Sequence, residues 1–264
     1  FSASLSLLLA PHRPRTLSPK MATMKPAPAW PSHDALHDDD FAYGASVASC
    51  DAAVQRGFLR KVFGLVAAQL ALTAALSAAF MFYAPLRSFA IHNHWMMMVS
   101  FVASLGLLVA CQVYAHSHPT NLYLLFGFTL AMAWSVATTC GAFAAAGLGL
   151  IVLEALALTA SVTAGLTVYT LRSKTDFSYL GAGLGAALWV LLLGGLLAMF
   201  VPGMHLALAM GGAVLFSAYI VYDVHMIANR LSPDEYIHAS ISLYLDIVNL
   251  FLHLLRILSE LQRD

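Results

Sequence analysis

Charge is what this sequence has least of. Charged residues are 10% of its 264 and the formal net charge is zero, so the basic field that nucleic-acid binding requires is missing and no nucleic-acid partner is expected. The only lysines are Lys20, Lys25, Lys61 and Lys174. None falls in the last apolar stretch, which rules out a Schiff-base photoreceptor of the retinal type. Three cysteines, Cys50, Cys111 and Cys140, form no CxxC and no paired framework, and the latter two fall in apolar runs where a thiol serves as small packing. No Asn-x-Ser/Thr glycosylation acceptor occurs. HExxH, Ser/His/Asp and Cys/His arrangements are absent, and Gly181 to Gly185 follows no strand, so it is no nucleotide loop. No enzymatic activity and no cofactor are expected.

What is abundant is apolar. Hydrophobic residues are 60% of the chain and the mean hydropathy is +0.78, against about 45 to 50% apolar in soluble domains. Seven runs approach the roughly 20 residues needed to cross a bilayer: 62–83, 94–114, 121–141, 148–170, 179–200, 205–228 and 236–258. The expected fold is an all-α membrane protein, a seven-transmembrane-helix bundle with the last helix enclosed by the others. Connections such as 115–120, 171–178 and 201–204 are too short to hold an extramembrane domain. Placing the N-terminus in the cytosol puts Arg56, Arg60, Lys61, Arg172, Lys174 and Arg230 on that side, against Arg87, Arg256 and Arg263 on the other, the asymmetry that sets topology. The polar stripe of the seventh run leaves open whether it crosses or enters and returns.

Residues 1–50 are expected to form a disordered tail, with the membrane domain at 51–264. Residues 1–33 carry Arg13, Arg15, Lys20 and Lys25 without any acid, a composition shared with organelle transit peptides. The plainer reading starts translation at Met21 or Met24 and treats the first twenty residues as upstream sequence.

Acids inside the apolar runs are the informative positions, because ionisable groups at membrane depth are expensive and usually functional. Asp246 lies near the middle of the last run, and Asp223 interrupts the one before it. Ser242, Asp246, Asn249, His253, Arg256 and Glu260 recur at steps of three and four, one narrow polar stripe on an otherwise apolar helix. Ser232-Pro233-Asp234-Glu235 reads as a capping box that starts this helix. Counting about 1.5 Å per residue from these ends leaves the two aspartates out of register by up to about 10 Å. Two carboxyls without a basic partner must share a proton or hold a cation, and hard oxygen ligands suit Ca²⁺ better than Zn²⁺. The competing reading makes them separate structural acids bonded to backbone or to Tyr219, Tyr222 or Tyr244. Glu154 is a third acid, lining an aqueous vestibule or lying near the headgroups. Among eleven histidines, His225 and His253 are nearest the aspartates.

The stretch Ser232-Pro233-Asp234-Glu235-Tyr236-Ile237, followed by Ser242-Leu243-Tyr244-Leu245-Asp246-Ile247-Val248-Asn249-Leu250-Phe251-Leu252 and preceded by Tyr222-Asp223, resembles the C-terminal signature of the Bax inhibitor/lifeguard family. Arg56-Gly57-Phe58-Leu59-Arg60-Lys61-Val62, His118-Pro119-Thr120-Asn121, Leu153-Glu154-Ala155 and Thr159-Ala160 extend the likeness over about residues 51–258, and the plant-type lifeguard branch looks most similar. The resemblance implies a bundle with a central last helix, a pH-sensitive calcium leak across intracellular membranes, and suppression of stress-induced cell death. It matches Asp223 and Asp246 to the family's paired aspartates. Bacterial relatives latch the first of these with an Arg of the second helix, whereas 94–114 holds no Arg or Lys here, and residues 261–264 are mixed in charge rather than strongly basic. Two functions are therefore weighed. One is a pH-sensitive calcium leak channel or regulator of organellar calcium, with Ca²⁺ and protons as its ions. The other is a non-conducting scaffold that controls cell death through membrane-protein partners. The endoplasmic reticulum is the expected membrane, with the Golgi or another endomembrane as the alternative.

Overall fold

In the computed structural model, the described residues are 46–262 apart from 94, 199 and 202. The expected tail therefore lies largely outside the described residues, as does His94. Eight helices follow one another: α1 (Ala52–Phe82), α2 (Ala84–His92), α3 (Trp95–Val113), α4 (Thr120–Ala145), α5 (Gly149–Arg172), α6 (Leu180–Ala198), α7 (Met204–Asn229) and α8 (Tyr236–Leu261). All but α2 are long and apolar enough to cross a membrane. The chain is a multi-pass helical membrane protein.

Three elements depart from the sequence expectation. Helix α1 starts ten residues before the first apolar run, so Arg56, Arg60 and Lys61 ride on the same helix that crosses; its 31 residues reach about 46 Å, beyond a hydrocarbon core of about 30 Å. The nine-residue α2, with Pro85 in its first turn, fills the connection to α3. Its Arg87 donates to the Met81 carbonyl at 2.9 Å, satisfying one of the orphan carbonyls at the end of α1. Residues 46–50, placed in the tail by composition, include a 3-10 turn in which Val47 is fully buried and donates its N–H to the Leu231 carbonyl at 2.8 Å.

Helix α8 is central. Half of its apolar window is buried, against a third or less in every other span and 6% in α6. It packs against α7, α5 and α1 and also touches α4 and α3. A helix apolar nearly all round is stable in this setting only when its narrow polar stripe faces protein. It is one continuous helix of 26 residues, about 39 Å, long enough to cross, and its Arg256, Ser259 and Glu260 share a cavity with the α4–α5 turn at the far end of the bundle. Helix α6 is its counterpart at the rim: it packs chiefly on α7, and Trp189, Val190 and Leu193 point outward.

Polar side chains join the spans, as expected where lipid supplies no hydrophobic drive between helices. Gln69 of α1 donates to Thr129 of α4 at 3.1 Å, Thr73 pairs with the fully buried Tyr244 of α8 at 2.9 Å, and Ser100 of α3 meets Ser135 of α4 at 3.0 Å. Such bonds contribute about 0.6 to 2 kcal/mol each. At the face where α1 begins, Tyr236 is a further junction: the Lys61 ammonium sits 3.2 Å above its ring, and Asn121 donates to its hydroxyl at 2.9 Å.

Candidate functional site

Helix α8 starts as its sequence requires. Pro233–Glu235 form a 3-10 turn, and the Glu235 carboxylate accepts the Ser232 N–H at 2.8 Å. Antiparallel α7 then runs alongside. Asp223 and Asp246 face each other within hydrogen-bonding reach across this pair of helices. The register gap expected from counting closes for a geometric reason. Side chains on a helix lean toward its own N-terminus, so in antiparallel helices Asp223 leans toward one face of the membrane and Asp246 toward the other, and the two carboxyls lean together. The same register recurs two turns deeper: seven residues back along α7 and seven forward along α8 lead to Phe216 and His253, whose rings stack at 5.5 Å and 23°.

The pair is enclosed and lacks a basic partner. Asp246 is 7% exposed, and its Oδ2 is fully buried without a hydrogen-bond partner. Both ion pairs among the described residues belong to Asp176. Of the tyrosines offered as structural partners, Tyr244 bonds to Thr73 instead, Tyr219 lies within electrostatic range of both acids, and Tyr222 lines a cavity with Asp223. A cavity of about 90 Å³, lined by Tyr222, Asp223, Leu231, His238 and Ser242, adjoins the pair on the side where α7 ends. A second, of about 240 Å³, holds Gln112, His116, Asp234 and Glu235. His238 lines both, and its Nδ1 accepts from the Gln112 amide at 3.0 Å, so it stands between the carboxyls' cavity and the surface.

Other stripe residues serve different ends. Asn249 donates to the Leu245 carbonyl of its own helix at 2.8 Å. Arg256 and Glu260 line the cavity of about 310 Å³ at the opposite face. Glu154 sits on the exposed side of α5, five residues from its start, and the structure does not bring it to the aspartates. Among the described residues, no group of three His, Cys, Asp or Glu is poised to hold a metal. Two carboxylates offer at most four oxygens of the six to eight that Ca²⁺ takes, so carbonyls and water would have to complete the shell of such an ion.

Sequence reading missed an ionic tie next to this site, because its members lie about fifty positions apart. Asp176, in the α5–α6 connection, meets His225 Nε2 at 2.9 Å and Arg230 at 2.8 Å, and its Oδ1 also accepts the Ser178 N–H at 2.9 Å. The Ser178 backbone N–H and hydroxyl, then Arg230 and His225, hold its carboxyl well below the usual carboxylate range. An acid whose folded value is depressed stabilises above its unfolded value, about 3.9, and loses that contribution as pH falls below it. Asp176→Ala is accordingly expected to speed amide exchange across residues 173–179 at neutral pH, with the difference from wild type narrowing only in strong acid; equal exchange in both would show the tie to be idle.

A seven-span bundle with two carboxyls facing each other between its last two spans defines a polytopic membrane protein organised around an internal acid pair. The family described as "Inhibitor of apoptosis-promoting Bax1" matches residues 55–263. Golgi anti-apoptotic protein of Vaccinia virus (strain Lister) is 45% identical over 223 residues, covering 84% of this chain and 92% of the relative. Protein lifeguard 4 of Mus musculus is 45% identical over 228 residues, covering 86% and 94%, and Protein LIFEGUARD 4 of Arabidopsis thaliana is 40% identical over 210 residues, covering 76% and 83%. The chain belongs to the Bax inhibitor/lifeguard family.

Proposed function

We propose that this protein is a pH-sensitive calcium leak channel, or regulator of organellar calcium, that suppresses stress-induced cell death from an endomembrane. The observation that carries the reading is the enclosed carboxyl pair. Two acids in contact, with no Lys or Arg between them, hold one shared proton or one cation. With the proton in place they bond α7 to α8; without it they repel each other and attract a divalent cation. Ca²⁺ passage therefore rises with pH. The polar cavities from His116 and Glu235 through His238 to Asp223 supply an entrance on the cytosolic side when the N-terminus is cytosolic. No basic residue in α3 competes for Asp223. The anti-apoptotic names of the viral relative and the family support the cell-death role, and the Golgi in the viral name supports an endomembrane, with the endoplasmic reticulum the first to examine.

Reconstitution tests it. Full-length protein in calcium-loaded proteoliposomes is expected to release Ca²⁺ faster at each step of a rising pH series, relative to protein-free vesicles. Release equal to protein-free vesicles at every pH would replace the channel with a non-conducting scaffold acting on cell-death membrane proteins.

A further inference from the structure

A hollow lined by neither aspartate opens beside the bundle core. It measures about 540 Å³ and separates α1 from α5, with Ile247, Val248 and Phe251 of α8 as its floor. Small residues build both walls: Ala71, Ala74 and Ala78 recur at helical spacing on α1, and Ala160 and Ala164 on α5. Stripes of this kind normally let two membrane helices close on each other. Here α1 packs on α4 and α8 while α5 packs on α8 and α7, and the two stripes stay apart across the gap.

Two buried hydroxyls open on this space. Ser77 is 8% exposed, and its Oγ has no hydrogen-bond partner stronger than the neighbouring Cys140 thiol. Thr163, deeper on the α5 wall, also leaves its Oγ1 buried without a partner, although Thr159 and Ser161 beside it each bond the carbonyl four residues back. A hydroxyl enclosed in apolar surroundings without a good acceptor is costly, so an acceptor that reaches either one is favoured. The α1 wall runs from Leu70 to Phe82, about 18 Å, close to one leaflet of a hydrocarbon core of about 30 Å. Ser77 lies within this wall, about 7 Å from the end of α1. The rim, including Leu153 and Leu156, is half exposed and apolar, so the hollow opens sideways into lipid.

We infer that the crevice between α1 and α5 is a binding site for one acyl chain of a membrane phospholipid, whose ester carbonyl accepts the Ser77 hydroxyl. The site is independent of ion passage, and it stands or falls without affecting the channel reading.

The full-length chain is reconstituted in phosphatidylcholine vesicles containing phosphatidylcholine with a photoreactive diazirine on one acyl chain, irradiated and mapped by peptide mass spectrometry. Residues 70–82 and 153–164 are expected to label above the outward face of α6 around Trp189 and Val190, and the excess is expected to disappear in Ala74→Phe/Ala160→Phe, which fills the crevice. Labelling no higher than on α6, meaning annular lipid only, or unchanged in the filled variant, overturns the inference. Ser77→Ala gives a check that does not depend on the filled variant folding: phospholipid is expected to survive detergent purification with the wild type and to be lost from this variant. Wild-type protein purified free of phospholipid would equally overturn it.

Discussion

Asp223→Asn combined with Asp246→Asn is expected to make Ca²⁺ release independent of pH. A group controlled by one shared proton changes its deprotonated fraction by up to about tenfold per pH unit on the acidic side of its titration, so wild-type release should climb by up to that much per unit, while the double variant stays flat. Asn keeps the shape of Asp and lets one amide donate to the other, so α7 and α8 remain joined where the carboxyls now meet. What the substitution removes is the titration and the charge that draws the cation. Stability should change little, because a neutral pair needs no counter-charge in the bundle interior. The single variants differ from the double one: Asp246→Asn leaves Asp223 ionised beside an amide that donates to it, a pairing that holds the helices together over a wider pH range. Release from the double variant that followed the wild-type pH curve would remove the acid pair from the mechanism and leave the bundle without a proton-sensitive element at that depth.

How far the site was legible in sequence depends on which physical signal each part leaves. Asp223 and Asp246 were visible because a carboxylate in an apolar run has no cheap explanation, and the central place of α8 followed from its being apolar around all but one stripe. Their approach was not visible from residue counts, since rise per residue measures backbone height and ignores the opposite lean of side chains on antiparallel helices. The extension of α1 hid behind Arg56, Arg60 and Lys61, charged residues that end an apolar run without ending a helix. The tie of Asp176 to His225 and Arg230 left no local trace, because nothing in the α5–α6 connection says which helix end lies above it. The crevice was equally hidden: alanines on α1 and α5 read as packing surfaces, and only the positions of α4, α7 and α8 decide that these two stripes do not meet. Spans and expensive residues are properties of one segment, whereas partners belong to the assembled bundle.

Gly212→Ala is expected to lower stability by about 1 to 3 kcal/mol, the range for forcing an extra carbon into a packed interior. Gly212 is buried on α7, and a Cβ there would overlap the His253 ring at its Cε1, Nε2 and Nδ1 atoms. The ring has little freedom to withdraw, since its face lies on Phe216. An alanine must either displace the ring from that stack or push α7 off α8. Which of the two occurs is separable by a double-mutant cycle. His253→Ala alone leaves a hollow and destabilises; Gly212→Ala added to it should then cost nothing, or recover part of the loss by filling the space. Thermal unfolding of the four proteins in one detergent reads the coupling, and equal effects of Gly212→Ala in both backgrounds would mean that the ring is not what demands glycine. The consequence reaches the acids. Phe216 and His253 occupy the same antiparallel register as Asp223 and Asp246, two turns further into the bundle, so an α7 displaced at Gly212 carries Asp223 with it. A glycine that touches neither carboxyl thereby holds the distance between them.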